Sequence, residues 1–481
     1  MIDTEYLLTD EDMRHFVVNG YVQVTGDLPA SFHRDIYQQI EDVFAEEGNP
    51  GNNILPRIPQ IQGVFDQPAV QGALTSLLGA NYVIHPHRYC HLNQPGSGGQ
   101  SWHKDDYVFD QNMRHHRFRW VMAFYYPQDV TEDMGPTGIL PGVQYHNTIS
   151  DADPTKSVEA ALPLCGQAGT VSIVNFDTWH RATANRSEKK RHMLKFQFTR
   201  MQDPHAPSWN NGNPAWQPVD ADKHGALSMD VWRWLSGQVS PRMGDAKEDA
   251  VSKLLEALQD TSETVRLNAA YTLGAMGESV VPVLMQTLQE EAEASAEQNL
   301  SKTPANPQGG NPSELASAHA VTAVGAPALP ALLGVLHDSR WSVRAAAADT
   351  LGNFGPLAKD AVPALIEALS DENIWVRRNA GEALGTIGAS ARDAVPTLIK
   401  VLYDTNELVR LNAVFAIAKI GHSADGLIRA LVEVLSDESR YVRFYAAVAL
   451  RRIGTPEAHN ALLDSLLTTR WCPLTTSETP Y

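Results

Sequence analysis

From about residue 246 onward the chain repeats itself, and the repeat leaves few folds open. The motif Asp, four residues, Val-Arg recurs as DTSETVR, DSRWSVR, DENIWVR, DTNELVR and DESRYVR. Its arginines are Arg266, Arg344, Arg377, Arg410 and Arg443, and the last four stand 33 residues apart (377−344, 410−377, 443−410). Gly355, Gly388, Gly421 and Gly454 keep the same period. Each unit reads as two helices, for example AVPALIEAL and then WVRRNAGEALGTIG, with proline near the start of the first and glycine after the second. No such unit can bury its apolar face alone, so the period predicts a solenoid of stacked helix pairs. From Arg266 to Arg344 the gap is 78 residues, two periods plus 12. The excess falls in AEQNLSKTPANPQGGNPSE, read as a loop insertion within the second repeat. The recurrent Asp and Arg are expected to pair between turns of neighbouring repeats and set the stacking.

The first 200 residues follow another grammar. After a helical stretch, ASFHRDIYQQIEDVFAEEG, short β-rich runs dominate: NYVIHPHRYCHL, RFRWVMAFYYP, GTVSIVNF and HMLKFQFTR. Punctuation such as NQPGSGG and EDMGPTG separates them, which predicts an antiparallel sandwich or jelly roll. Between the halves lies a Trp-rich stretch, SWNNGNPAWQPV and MDVWRWLSG. Free linkers are rarely so aromatic, so it is expected to pack between the two halves.

At 481 residues the chain is too long for one ordinary core. A net charge of -18 argues against a general binder of nucleic acid or anionic membrane. No run approaches a membrane span, and the acidic start MIDTEYLLTDEDMRHF lacks the apolar core of a secretory signal. Cys90, Cys165 and Cys472 are scattered, so a reduced, cytoplasmic setting is expected.

Chemistry concentrates in SWHKDDYVFD. His103 and Asp105 are two apart, and on a strand residues i and i+2 share a face, so both can reach one ion. Asp106 would point the other way. A third ligand is offered by His180, after the strand GTVSIVNF and a short turn. Two histidines and a carboxylate leave three positions of an octahedral ion open, the facial arrangement of non-haem Fe(II) oxygenases. Arg191, eleven residues on, opens the run RHMLKFQFTR. Beside a metal it asks for a carboxylate partner, which 2-oxoglutarate supplies at one end while chelating iron at the other. His85, His87 and His91 could form a second cluster, or divide between packing and pocket lining. The run RHHRFR at 114–119 reads either as a solvated hairpin or as a source of substrate-binding arginines.

The strings PHRYCHLNQPGSGGQSWHKD and MGPTGILPGVQYHN, with the His180 to Arg191 segment, resemble the phytanoyl-CoA dioxygenase family over roughly residues 10–202. The repeats resemble HEAT repeats over roughly 246–469. The first resemblance implies a double-stranded β-helix (jelly roll) with flanking helices, Fe(II) held by His103, Asp105 and His180, and 2-oxoglutarate held by Arg191. It also implies that Trp120 lines the cosubstrate pocket. Where the family often has a serine, this chain has Ala182, and Thr183 is expected to take over that contact. Arg88, Arg117 and Arg119 are the candidates for an anionic group on the substrate. Asp105 occupies the position that is a small residue in the related halogenases, which implies hydroxylation rather than halogenation.

The expected layout is an oxygenase domain at 1–201, a Trp-rich connector at 202–245, an α-solenoid at 246–469 and a tail at 470–481. The expected substrate is a small or carrier-bound molecule, with a possible protein partner on the HEAT repeats. An inactive scaffold and an oxygenase acting on a protein held by the solenoid are the alternatives.

Overall fold

A computed structural model describes residues 3–105, 115–148, 161–238, 248–302, 309–313 and 315–468. Among the described residues eight strands build the N-terminal half: β1 (Tyr21–Thr25), β2 (Val83–Asn93), β3 (Trp120–Tyr125), β4 (Thr137–Ile139), β5 (Leu162–Leu164), β6 (Thr170–Asn175), β7 (His180–Ala182) and β8 (Arg191–Thr199). They form a five-stranded antiparallel sheet, β1-β6-β3-β8-β2, and a three-stranded one, β5-β4-β7. The His180 ring of β7 lies 6.1 Å from the Phe124 ring of β3, so the small sheet packs over the large one. This is the jelly-roll arrangement, with helices flanking it.

Strands β3, β6 and β8 are buried along their whole length, as central strands covered on both faces must be. Alternation sorts β8 into two faces. His192, Phe196 and Phe198 turn to the helical side. There the His192 Nε2 lies 2.5 Å from Glu41 of the helix Ala30–Glu47, and Phe65 stacks on Phe196 and Phe198. The other set, Arg191, Met193, Lys195, Gln197 and Thr199, faces the small sheet and the interior of the roll.

The solenoid is built as the period predicts. The helices Trp341–Phe354, Ile374–Ile387, Glu407–Ile420 and Arg440–Ile453 each end at a glycine with positive φ (54°, 73°, 63° and 71° at Gly355, Gly388, Gly421 and Gly454). An L side chain there would strain the backbone, which explains the glycine period. The Asp-Arg recurrence is a ladder. Arg344, Arg377 and Arg410 each hold the aspartate that opens the next repeat, Asp371, Asp404 and Asp437, at 2.7–2.9 Å through Nε. The same guanidinium donates back to carbonyls of its own turn, as Arg377 does to Asp371 and Glu372. In the insertion the sequence reading is corrected. AEQNLSK is not loop but the end of the helix Val281–Lys302, and Asn311 beyond it pairs amide to amide with Asn379.

The second helix of each pair turns toward the jelly roll, the side on which solenoids commonly hold partners. The stretch 115–120 lies along it. His116 meets Tyr271 (Nδ1 to Oη 2.9 Å) and stacks on His319 at 4.0 Å, and the Arg117 Nη1 donates to the Asn353 carbonyl. Trp120 packs on Phe415 at 5.9 Å, and His85 stacks on Tyr441 at 5.1 Å. The connector closes the seam from outside. Trp209 and Trp232 are buried edge to face, and Trp209 donates to Asp10 near the start of the chain.

Among the described residues no single helix is long and apolar enough to cross a membrane. The bent pair Ala316–Val324 and Ala326–Val335 reaches the necessary length and composition only together, and its first member is buried throughout.

Candidate metal centre

β7 opens on His180. His103 and His180 face each other across an isolated antiparallel bridge, each N–H donating to the other's carbonyl at 3.1 and 3.0 Å. His103 therefore sits on a single bridge rather than in the extended strand the sequence suggested. The pairing still sets the two imidazoles side by side, with ring centroids 4.5 Å apart. Each Nδ1 lies against a backbone carbonyl, His103 on Ser101 (2.9 Å) and His180 on Thr178 (3.0 Å). Those contacts favour the Nδ1–H tautomer and leave Nε2 as the free lone pair, the arrangement a metal-binding histidine needs. Asp105 completes the group. Ligand atoms of His103, Asp105 and His180 all lie within 4.8 Å of one another, with Asp105 Oδ1 4.0 Å from His180 Nε2.

Burial alone would raise the Asp105 carboxyl. Lys195, whose Nζ donates to Oδ2 at 2.7 Å, together with the neighbouring histidines, outweighs it and holds the group down at about 2. Burial lowers His180 to about 4. The donor set is thus a carboxylate and two imidazoles whose Nδ1 atoms are set against carbonyls, which fits a divalent ion such as Fe(II).

A cavity of about 140 Å³ opens beside this group, lined by His103, His180, Lys195, His91, Thr137 and Arg191 among others. Arg191 is 1% exposed, and its Nε and Nη2 donate to a single acceptor, the Gly135 carbonyl, at 3.0 and 2.7 Å. No carboxylate lies within ion-pair distance of it among the described residues. A guanidinium so buried without an anion is costly, so the cavity is prepared for one.

Other expected residues are placed elsewhere. Trp120 faces the interior, but at the far end of β8 from Arg191 (opposite Thr199), where it meets Phe415, Phe176 and His85. It does not line the cavity that holds Arg191. Thr183 donates its hydroxyl to the Pro136 carbonyl at 2.7 Å and lines a neighbouring groove. Arg88 is paired with Phe196 in the sheet and so turns to the opposite face from Lys195. Arg117 and Arg119 are neither solvated nor open to a substrate. Arg117 is bidentate on Asp230 (3.1 and 3.1 Å), and Arg119 on Asp203 (2.8 and 2.7 Å). Arg114, at the head of that run, lies outside the described residues, as do Asp106 and Cys472.

Of the HPHRYCH histidines, His85 packs against Tyr441 and Trp120, and His91 lines the cavity with Nε2 unpartnered. His115, Asp349 and Glu382 also lie within 4.8 Å of one another. There Arg378 donates to Glu382, so the negative charge is met by a cation of the seam itself. The sequence reading missed Lys195 and Thr137. Both had a signal. Lys195 stands four residues after Arg191 on the same face of one strand, and Thr137, whose buried Oγ1 lacks a partner, follows MGP in a motif already singled out.

The phytanoyl-CoA dioxygenase (PhyH) family model matches residues 28–193, and the HEAT-repeat model matches 236–301, 329–405 and 395–471. The chain therefore joins a phytanoyl-CoA dioxygenase-type region to HEAT repeats. No curated protein matches it. Among solved structures it is similar to a non-heme monooxygenase, the ThoJ-Ni complex (14% identity, 44% of this chain and 92% of that one, TM-score 0.31). It is also similar to the non-heme alpha ketoglutarate dependent carbocyclase SnoK from nogalamycin biosynthesis (17%, 42% and 88%, TM-score 0.33). A third is HygX from Streptomyces hygroscopicus with nickel and 2-oxoglutarate bound (13%, 40% and 88%, TM-score 0.33). At these scores the reading of the site rests on its own geometry.

Proposed function

We propose that the chain is a non-haem Fe(II)- and 2-oxoglutarate-dependent dioxygenase that hydroxylates a small or carrier-bound metabolite. The observation that carries this reading is one cavity of about 140 Å³ shared by His103, His180 and Arg191, which has no carboxylate partner among the described residues. His103 and His180 would hold Fe(II) through Nε2 and Asp105 through its carboxylate. Arg191 would hold the far carboxylate of 2-oxoglutarate, its planar fork meeting two oxygens at once. With O2 and 2-oxoglutarate bound, Fe(II) supplies an oxidant able to remove a substrate hydrogen, with succinate and CO2 as co-products. The protein's own part is to orient the reactants and keep water away, which the burial of Asp105, His180 and Arg191 serves. Asp105 fills the position that halide would need, which favours hydroxylation.

The division of labour goes with this. We assign the chemistry to 1–201, the packing of the halves to the connector 202–245, and the scaffold to 246–469, in a protein of the reduced cytoplasm. The inner side of the solenoid is filled by the chain's own jelly roll through Tyr271, His319, Asn353, Phe415 and Tyr441. This favours a small substrate over a protein held on that side, and leaves the outer faces of the repeats for any partner. The test is succinate release with Fe(II), 2-oxoglutarate and O2 across amino acids, small polar acids, acyl-CoAs and carrier-bound compounds. Turnover lost in His103→Ala and His180→Ala is expected. Absence of both turnover and a 2-oxoglutarate charge-transfer band in the wild type would leave the inactive-scaffold reading.

A further inference from the structure

We propose that Lys195 is a positioning residue of this centre: by holding Oδ2 of Asp105 it keeps that carboxylate to a single oxygen toward the metal. The inference rests on the reading of His103, Asp105 and His180 as ligands. Lys195 stands on the interior face of β8, opposite Phe124 of β3 and Tyr89 of β2. Its Nζ is 2.7 Å from Asp105 Oδ2, and both side chains are buried, at 6% and 10% exposure. The other oxygen, Oδ1, is the one turned to His180, at 4.0 Å from Nε2. With both Nδ1 atoms set against carbonyls, the two Nε2 atoms are available to a metal, and Oδ1 is the carboxylate oxygen turned toward them.

The count of positions gives this contact its consequence. Three protein atoms on a six-coordinate ion leave three sites open, two for a chelating keto acid and one for O2. An aspartate bound through both oxygens would take a fourth site and leave one too few. Removing Lys195 takes a charged donor away from Oδ2 and makes that oxygen more available to the metal. The ammonium contact thus holds the second oxygen away from the ion.

A purely structural role would be different. If Lys195 only neutralised Asp105, its loss would lower the stability of the metal-free protein and leave the ligation unchanged. Full-length Lys195→Met and Lys195→Arg are compared with wild type under anaerobic conditions. Co(II) ligand-field absorption is recorded before and after 2-oxoglutarate, and the Fe(II)·2-oxoglutarate charge-transfer band is titrated. Lys195→Met is expected to bind Co(II) with an altered spectrum and to need about tenfold or more 2-oxoglutarate for half-saturation, the usual scale for loss of a ligand's supporting partner. Lys195→Arg should move both readouts back toward wild type, since a guanidinium can also donate to Oδ2. Wild-type spectrum and midpoint in Lys195→Met would overturn the proposal. Should that variant not fold, a crystal structure of the wild-type Mn(II)·2-oxoglutarate complex decides it. Asp105 bound through one oxygen with Oδ2 on Lys195 is expected, and two-oxygen binding or a displaced Lys195 overturns it. A wild type that takes up no Co(II) would remove the ligand assignment itself, whereas metal uptake with an unmoved variant removes only the role of Lys195.

Discussion

Arginine is buried in several parts of this molecule, and two of them treat the charge in opposite ways. Along the seam, Arg117 and Arg119 each face a carboxylate squarely, Asp230 and Asp203. In the cavity, Arg191 is buried more deeply and, among the described residues, has the Gly135 carbonyl for its hydrogen-bond partner and no carboxylate. A buried cation is tolerable when paired and costly when not. These two seam arginines are therefore electrostatically finished, while the cavity is one anion short. Structure and chemistry are separated here by what completes each guanidinium.

The strongest way to break this comparison is at the seam. Asp230→Ala strands Arg117 among buried groups and should cost about 3–5 kcal/mol. Thermal unfolding and limited proteolysis would follow it, and a change under about 1 kcal/mol would mean the pair is not structural. In the cavity the signs reverse. Arg191→Met removes an unpaired cation, so melting of the metal-free protein should hold or rise. Affinity for 2-oxoglutarate should meanwhile fall by about 2–5 kcal/mol, with Fe(II) binding unchanged. A protein that melted early without Arg191 would put it in the structural class with Arg117.

Acid sharpens the contrast next. Where the jelly roll and connector meet the first repeat, His146 lies 2.8 Å from His224 and 3.3 Å from Thr264. Burial there and along the seam depresses His115 and His224 to about 3, His146 and His319 to about 4, and His116 well below its ordinary value. Each is lowered from 6.5, so the neutral ring is the form that folding favours. Their contribution is complete above pH 6.5 and drains away as the pH falls through that value toward 4. The repeat ladder is made of Arg-Asp pairs and contains no histidine. Proteolysis at pH 7.5 and 5 should therefore open the seam before the repeats, and simultaneous opening would count against it. The smallest effect is expected in the ladder. Asp404→Ala should cost about 1 kcal/mol, because Arg377 keeps its bonds to the Asp371 and Glu372 carbonyls.

The repeats were legible because their contacts recur. Arg344, Arg377 and Arg410 do the same work at the same spacing, and a period exposes that directly. The spacing of His103 and Asp105 was legible for a related reason, since covalent neighbours two apart need no knowledge of the fold to be brought together. What alternation gives is a face, not a position along it. Trp120 and Arg191 share the interior of the roll, yet they stand at its two ends, and only the register of β3 against β8 tells them apart. Arg117 and Arg119 were opaque in another way. Their partners Asp230 and Asp203 lie 113 and 84 residues away in non-repeating chain. Lys195 was hidden behind its neighbour. Once Arg191 had been given a ligand, the next cation on that face was not asked what it held.

The order in which the chain is made gives the seam a further meaning. Trp120 packs on the solenoid residue Phe415, and His85 on Tyr441 and Tyr445, so that 295 to 360 residues of chain separate these partners. At roughly 5–20 residues per second, those side chains wait on the order of 15–70 s after synthesis for their cover. During that interval the newborn jelly roll carries an apolar, histidine-rich edge that the solenoid has yet to cover. Aggregation on the ribosome and demand for a holding chaperone should therefore peak late, and should fall when the final two repeats emerge.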